Sequence, residues 1–105
     1  MKARMTCANS DFELTLTAAA GDDPSLMAEL RAGFMQSLTG QVDLLRRSRC
    51  DANWRITAER LRGLGASFYA GELITLAQEA IDGAPGDPAV LRKLGTLTSR
   101  FSVTN

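Results

Sequence analysis

Arg55, Glu59, Arg62, Gly63 and Ala66 are the residues whose types and spacing suggest a site. At about 100° of rotation per helical residue they share one strip, with an acid between bases at i−4 and i+3, then a patch almost without side-chain bulk. The chemistry on offer is charge pairing and contact with an approaching surface. Catalysis by this set is not expected, because the chain has no histidine. A neutral imidazole nitrogen is a good nucleophile near pH 7, whereas a carboxylate is a poor one. A mid-helix glycine such as Gly63 costs about 1 kcal/mol against alanine, which invites a reason such as close approach by another molecule. Cys7 and Cys50 lie far apart in the sequence, and no other thiol or imidazole completes a metal set, so neither zinc nor any other metal or cofactor is expected and both thiols read as free. No serine has a base beside it in a recognisable pattern. Gly-Asp-Asp and Gly-Asp-Pro are helix caps without the spacing of a calcium or phosphate loop.

These residues must be positioned by a single small domain, 1–105, since 105 residues supply one modest core. Twelve basic and twelve acidic side chains balance to zero, so no global field recruits nucleic acid or an anionic membrane. No stretch approaches the roughly 20 apolar residues that span a bilayer, and the chain reads as cytoplasmic, with 1–10 a flexible tail.

Helix signals dominate. Ser10 and Glu13 form a capping box before a short helix over 11–20, which Gly21 ends. Asp23-Pro24 starts a long helix to Arg47 with an apolar face of Met27, Leu30, Phe34, Leu38, Val42 and Leu45. Gly33 and Gly40 within it suggest close packing against a neighbour. Asp51 is the expected cap of a third helix, over 52–69, whose seam is Trp54, Ala58, Leu61, Gly65 and Phe68. Leu73, Leu76, Ala77, Ala80 and Ile81 repeat the pattern until Gly83-Ala84-Pro85-Gly86 stops it. Asp87-Pro88 begins a last helix with its seam at Val90, Leu91, Leu94, Leu97 and Phe101. The fold class is therefore all-α, and short links between the segments predict an antiparallel up-and-down four-helix bundle with a short extra N-terminal helix.

Glu59-Arg60-Leu61-Arg62-Gly63, then Gly65, Ala66, Phe68, Tyr69-Ala70 and Leu73-Ile74-Thr75-Leu76-Ala77, resemble the accepting helix of histidine-containing phosphotransfer (HPt) domains and its continuation. That family reads approximately His-x-Leu-Lys-Gly, small residues, a bulky apolar residue, Gly-Ala and Leu-x-x-Leu-Ala, and the register holds without a gap. Asp23-Pro24-Ser25-Leu26 and Asp51-Ala52, each opening a helix, are similar to the family as well, so the resemblance covers nearly the whole chain. Glu59 stands where the phosphorylated histidine belongs, and Tyr69 replaces the usual glycine. The resemblance implies a two-component phosphorelay protein, not an enzyme, that docks a response-regulator receiver domain or a histidine kinase module without itself accepting phosphoryl. Arg62 matches the family's basic residue that helps hold the phosphoryl group, and here it is expected to pair with Glu59. The alternative is a helical module repurposed for self-association or for an unrelated partner.

Glu59 is a poor phosphate mimic, with about one negative charge against the roughly 1.5 to 2 of a phosphate. An Arg-Glu-Arg network that only supports its own helix is the plainer reading, worth about 0.3–0.5 kcal/mol per pair. Trp54 and Phe68 read as core, and Tyr69 as a ring with its hydroxyl at the bundle end. Arg46, Arg47 and Arg49 suit the negative end of a helix dipole.

Overall fold

The computed structural model describes residues 3–103, with side chains described from 11 to 101. It contains five helices and, among the described residues, no strand: α1 (Ala3–Ala20), α2 (Pro24–Arg47), α3 (Asp51–Ser67), α4 (Gly71–Asp82) and α5 (Pro88–Val103). The all-α expectation is met. The first helix begins at Ala3, eight residues before the expected start, because no proline or glycine between Ala3 and Ser10 stops it. Ser10 therefore lies inside α1, and Glu13 binds Arg31 of α2 with both oxygens at 2.7 Å, where the sequence suggested a capping box. The reading of 1–10 as a flexible tail falls on side chains outside the described residues.

Local chemistry explains the helix boundaries. Gly21, at φ +61°, closes α1 with its N–H on Thr17 O at 2.9 Å, a left-handed conformation that glycine adopts without a Cβ penalty. The Asp23 carboxylate then accepts from Ser25 N and Leu26 N at 3.0 and 3.4 Å, with Pro24 opening the helix behind it. The expected cap at Asp51 is displaced by one residue. Cys50 is the N-cap of α3 and makes no side-chain cap bond, while Asp51 occupies the first turn, where its charge favours the helix dipole. Asp87 caps α5 through Ala89 N at 3.0 Å.

The core is one cluster drawn from all five helices, and its periodicity is the one the sequence suggests. Phe12 and Leu16 come from α1; Phe34, Leu38, Val42 and Leu45 from α2; Trp54, Ala58 and Leu61 from α3. Ala70 at the N-cap of α4, Leu73, Leu76, Ala77 and Ala80 within it, and Val90, Leu94, Leu97 and Phe101 of α5 complete it. Met27, Leu30, Phe68, Ile81 and Leu91, expected on the seams, are half-buried and pack against its edge. At about 25 cal/mol per Å² of apolar surface removed from water, this burial is the main stabilising contribution. Helix α3 packs against α2 and α4, α5 packs against the same two, and α1 lies on α2 and touches α4.

Two features hold the ends of this core. All four phenylalanines of the chain meet in one group, with Phe12 and Phe34 ring centroids 4.6 Å apart, Phe34 and Phe68 at 5.0 Å, and Phe12 and Phe101 at 4.9 Å. These tilted and edge-on arrangements are the ones ring quadrupoles favour. Toward the N-terminus of α3, the buried Trp54 indole N–H donates to Ala80 O at 2.7 Å, tying α3 to α4.

Candidate functional site

Helix α3 positions the strip. Because Trp54, Ala58, Leu61 and Gly65 face the core, the rotation of the helix leaves Arg55, Glu59, Arg62, Gly63 and Ala66 exposed. All five lie on the surface of one helix, as their spacing requires.

The charges are distributed differently from the expected Arg-Glu-Arg network. Arg55 Nη1 lies 3.7 Å from Glu59 Oε2, a loose i,i+4 pair whose side chains are 62% and 48% exposed. Water screens such a contact, and it adds about 0.5 kcal/mol at most. Arg62 does not pair with Glu59. Its Nη1 donates to Gln78 Oε1 on α4, and Gln78 Nε2 donates in turn to Asp82 Oδ1 at 3.1 Å. The reason is geometric: α4 packs closely along α3 and presents an acceptor to one flank of the strip. Glu59 is left with one distant arginine and open solvent.

The glycines separate into two kinds. A Cβ added at Gly63 would meet no atom within 4 Å, so nothing inside the protein demands glycine there. A Cβ at Gly65 would sit 3.0 Å from Ile74 Cγ1, 3.1 Å from the Ile74 backbone nitrogen and 3.2 Å from Leu73 Cγ, so that glycine lets α3 and α4 approach. Gly33 and Gly40 were expected to serve packing, yet both face open space, so tertiary contact does not explain them.

Tyr69 lies beyond the strip, at the α3–α4 turn. It adopts φ +54°, with its N–H on Ala66 O at 3.3 Å and the Ala70 N–H on Gly65 O at 2.8 Å. This paired closure of a helix end normally places glycine at the left-handed position, so the tyrosine carries backbone strain of about 1 kcal/mol. Tyr69 is 65% exposed in this turn at the end of α3. Together with Leu14, 66% exposed, and Ala18 it lines a mostly apolar groove on the outer side of α1. Sequence periodicity had no means of finding that groove, which joins residues far apart in the chain.

No group of three histidine, cysteine, aspartate or glutamate side chains could hold a metal ion among the described residues. Cys50 is a free, exposed thiol, and its suggested independence from Cys7 concerns a side chain outside the described residues. No described helix is long and apolar enough to cross a membrane. Arg47 pairs with Asp43 at 2.9 Å in the last turn of α2, on the exposed surface, as a cation at a helix C-terminus should. Comparison with protein-family models, with curated proteins and with solved structures yields no match, so the reading of the site rests on its own residues.

Proposed function

We propose that this chain is an HPt-like signalling domain in which α2 to α5 form an antiparallel up-and-down four-helix bundle with α1 as the additional N-terminal helix. In this reading the outward strip of α3 docks a receiver domain or a histidine kinase module in the cytoplasm, and Glu59 at the acceptor position leaves the domain unable to take a phosphoryl group. The packing of α2 on α3, α3 on α4, α4 on α5 and α5 on α2, through the short links 48–50, 68–70 and 83–87, supports the bundle.

The observation that carries the docking reading is the pairing of a half-exposed Glu59 with Gly63, one turn further on, which has empty space where a side chain would be. A partner can approach that turn more closely than any other residue type would allow. Arg55 and Arg62 flank it and complement an acidic partner surface, so the mechanism is occupancy of the partner by adaptor, competitor or titrator.

The test is titration calorimetry against the receiver domains of the source organism, with Gly63→Gln as the blocking variant. Saturable binding lost in that variant is expected; no binding to any receiver or kinase module rejects the reading. Glu59→His adds a second readout, since phosphoryl uptake from a phosphorylated receiver is expected to appear with the imidazole. A non-phosphorelay interaction module is favoured by one observation, the exposed Leu14 and Tyr69 groove outside the strip. Light scattering distinguishes it, because concentration-dependent dimerisation without receiver binding is its signature.

A further inference from the structure

The opposite flank of α3 carries a second surface, formed where α3 runs beside the C-terminal turns of α2. Leu44 of α2 and Ile56 of α3, 41% and 47% exposed, are two of the few large apolar side chains the fold leaves in water. They line the same groove, together with Ser48 and Asn53, and its titratable lining residues are both arginines, Arg47 and Arg60. In a chain of zero net charge this groove sets two arginines beside two aliphatic side chains in a lining that is otherwise polar. Arg47 is engaged by Asp43, whereas Arg60 has no carboxylate within ion-pairing distance among the described residues. None of these residues belongs to the Arg55, Glu59, Arg62, Gly63 strip.

We propose that this α2–α3 groove seats an acidic amphipathic helical segment of a partner protein. A groove between two neighbouring helices accepts a third helix by the packing that joins the first two, with aliphatic side chains spaced i, i+3 and i+4 entering between Leu44 and Ile56. Carboxylates on the rims of that segment meet Arg60, and Arg47 once it exchanges Asp43 for the incoming acid. Charge decides the class of occupant. A basic segment would meet Arg60 and an Arg47 already paired with Asp43, with no acid in the groove lining, a like-charge encounter at Arg60 that selects against it. Nucleic acid would find no aromatic platform among these residues, and base stacking is the usual attachment of single strands.

The test uses the full chain labelled with nitrogen-15 and two synthetic probes, an acetylated helical peptide of glutamate and leucine with an i, i+3, i+4, i+7 leucine face, and its lysine counterpart. Titration into the millimolar range is followed by amide chemical shifts. Saturable shifts centred on Leu44, Ser48, Asn53, Ile56 and Arg60 and absent from Gly63 and Ala66, with the lysine peptide inert, are expected. Arg60→Glu weakens the acidic peptide by about tenfold or more, and Ile56→Ser weakens it without unfolding the domain, since the side chain is half in water already. Both variants keep the Gly63 strip, so receiver binding is a separate readout, and either reading can fail alone. The proposal is overturned by the absence of saturable shifts, by equal binding of the lysine peptide, or by shifts centred on Leu14 and Tyr69. Phosphatidylserine vesicles that bind the chain with the same sensitivity to Arg60→Glu overturn it in favour of a membrane surface.

Discussion

Gly63 and Gly65 stand two residues apart on one helix, and the same substitution should act on them with opposite sign. At Gly63 an alanine side chain meets nothing within 4 Å, so Gly63→Ala gains the helical preference of alanine, about 0.8–1 kcal/mol. At Gly65 the same methyl lands 3.1 Å from the Ile74 backbone nitrogen, which is fixed by its own bond to Ala70 O at 3.1 Å. That nitrogen cannot rotate away as a side chain would, and α3 and α4 must separate by a few tenths of an ångström. Overpacking of this kind costs about 1–3 kcal/mol, from which the same helical gain of about 1 kcal/mol is subtracted. Gly65→Ala is therefore expected to destabilise by about 1 kcal/mol, and the two variants to differ by about 2 kcal/mol. For a domain of this size each kcal/mol moves Tm by about 4–8 °C, so calorimetry and urea midpoints resolve the pair easily. Equal shifts of the same sign would refute the reasoning, since helix preference alone treats the two positions alike.

Other perturbations follow from single contacts. Tyr69→Gly relieves a left-handed tyrosine and is expected to raise stability by about 1 kcal/mol, read as a higher urea midpoint; a lower midpoint would mean the exposed ring packs usefully in the free domain. Gln41 Oε1 is buried without a hydrogen-bond partner, so Gln41→Met is expected to stabilise by about 1 kcal/mol, and a loss of stability by thermal melt would contradict it. The Arg31 pKa is raised by its hydrogen bonds to Glu13, partly offset by burial, and that of Arg100 by Glu72 in the same way. A raised folded pKa contributes stability that is present below the unfolded value and lost as pH rises through the folded one, for both arginines far into the alkaline range. Without histidine, no side chain has an ordinary pKa between about 5 and 8, so the urea midpoint should be flat from pH 6 to about 8. A slope there would reveal a perturbed group that neither arginine explains.

The four later helices were legible because their buried positions repeat every three or four residues, and the starts of α2 and α5 also carry Asp-Pro, a signal that is local in sequence. The strip on α3 was legible for the same reason, since the core seam fixes the opposite face. What escaped depends on partners distant in the chain. Arg62 finds Gln78 on the neighbouring helix, and local spacing pointed instead to Glu59, three residues away. Gly33, Gly40, Gly63 and Gly65 are identical as letters, and only Gly65 is held by its surroundings, a distinction made by the proximity of Ile74. The start of α1 was missed because Ser10 and Glu13 imitate a cap while nothing before them interrupts a helix. The Cys50 cap shows the converse, a helix that begins without any side-chain bond to mark its start.

The lone indole of Trp54 gives the protein an internal optical reporter at one pole. It is buried beside Ala80, whereas the phenylalanine group includes Phe68, the C-cap of α3, about 20 Å further along the helix axis at 1.5 Å per residue. Blue-shifted emission should thus register separation of α3 from α4 at its own pole and stay silent when α1 peels from the other. Any gap between fluorescence and circular dichroism on heating would map which end loosens first.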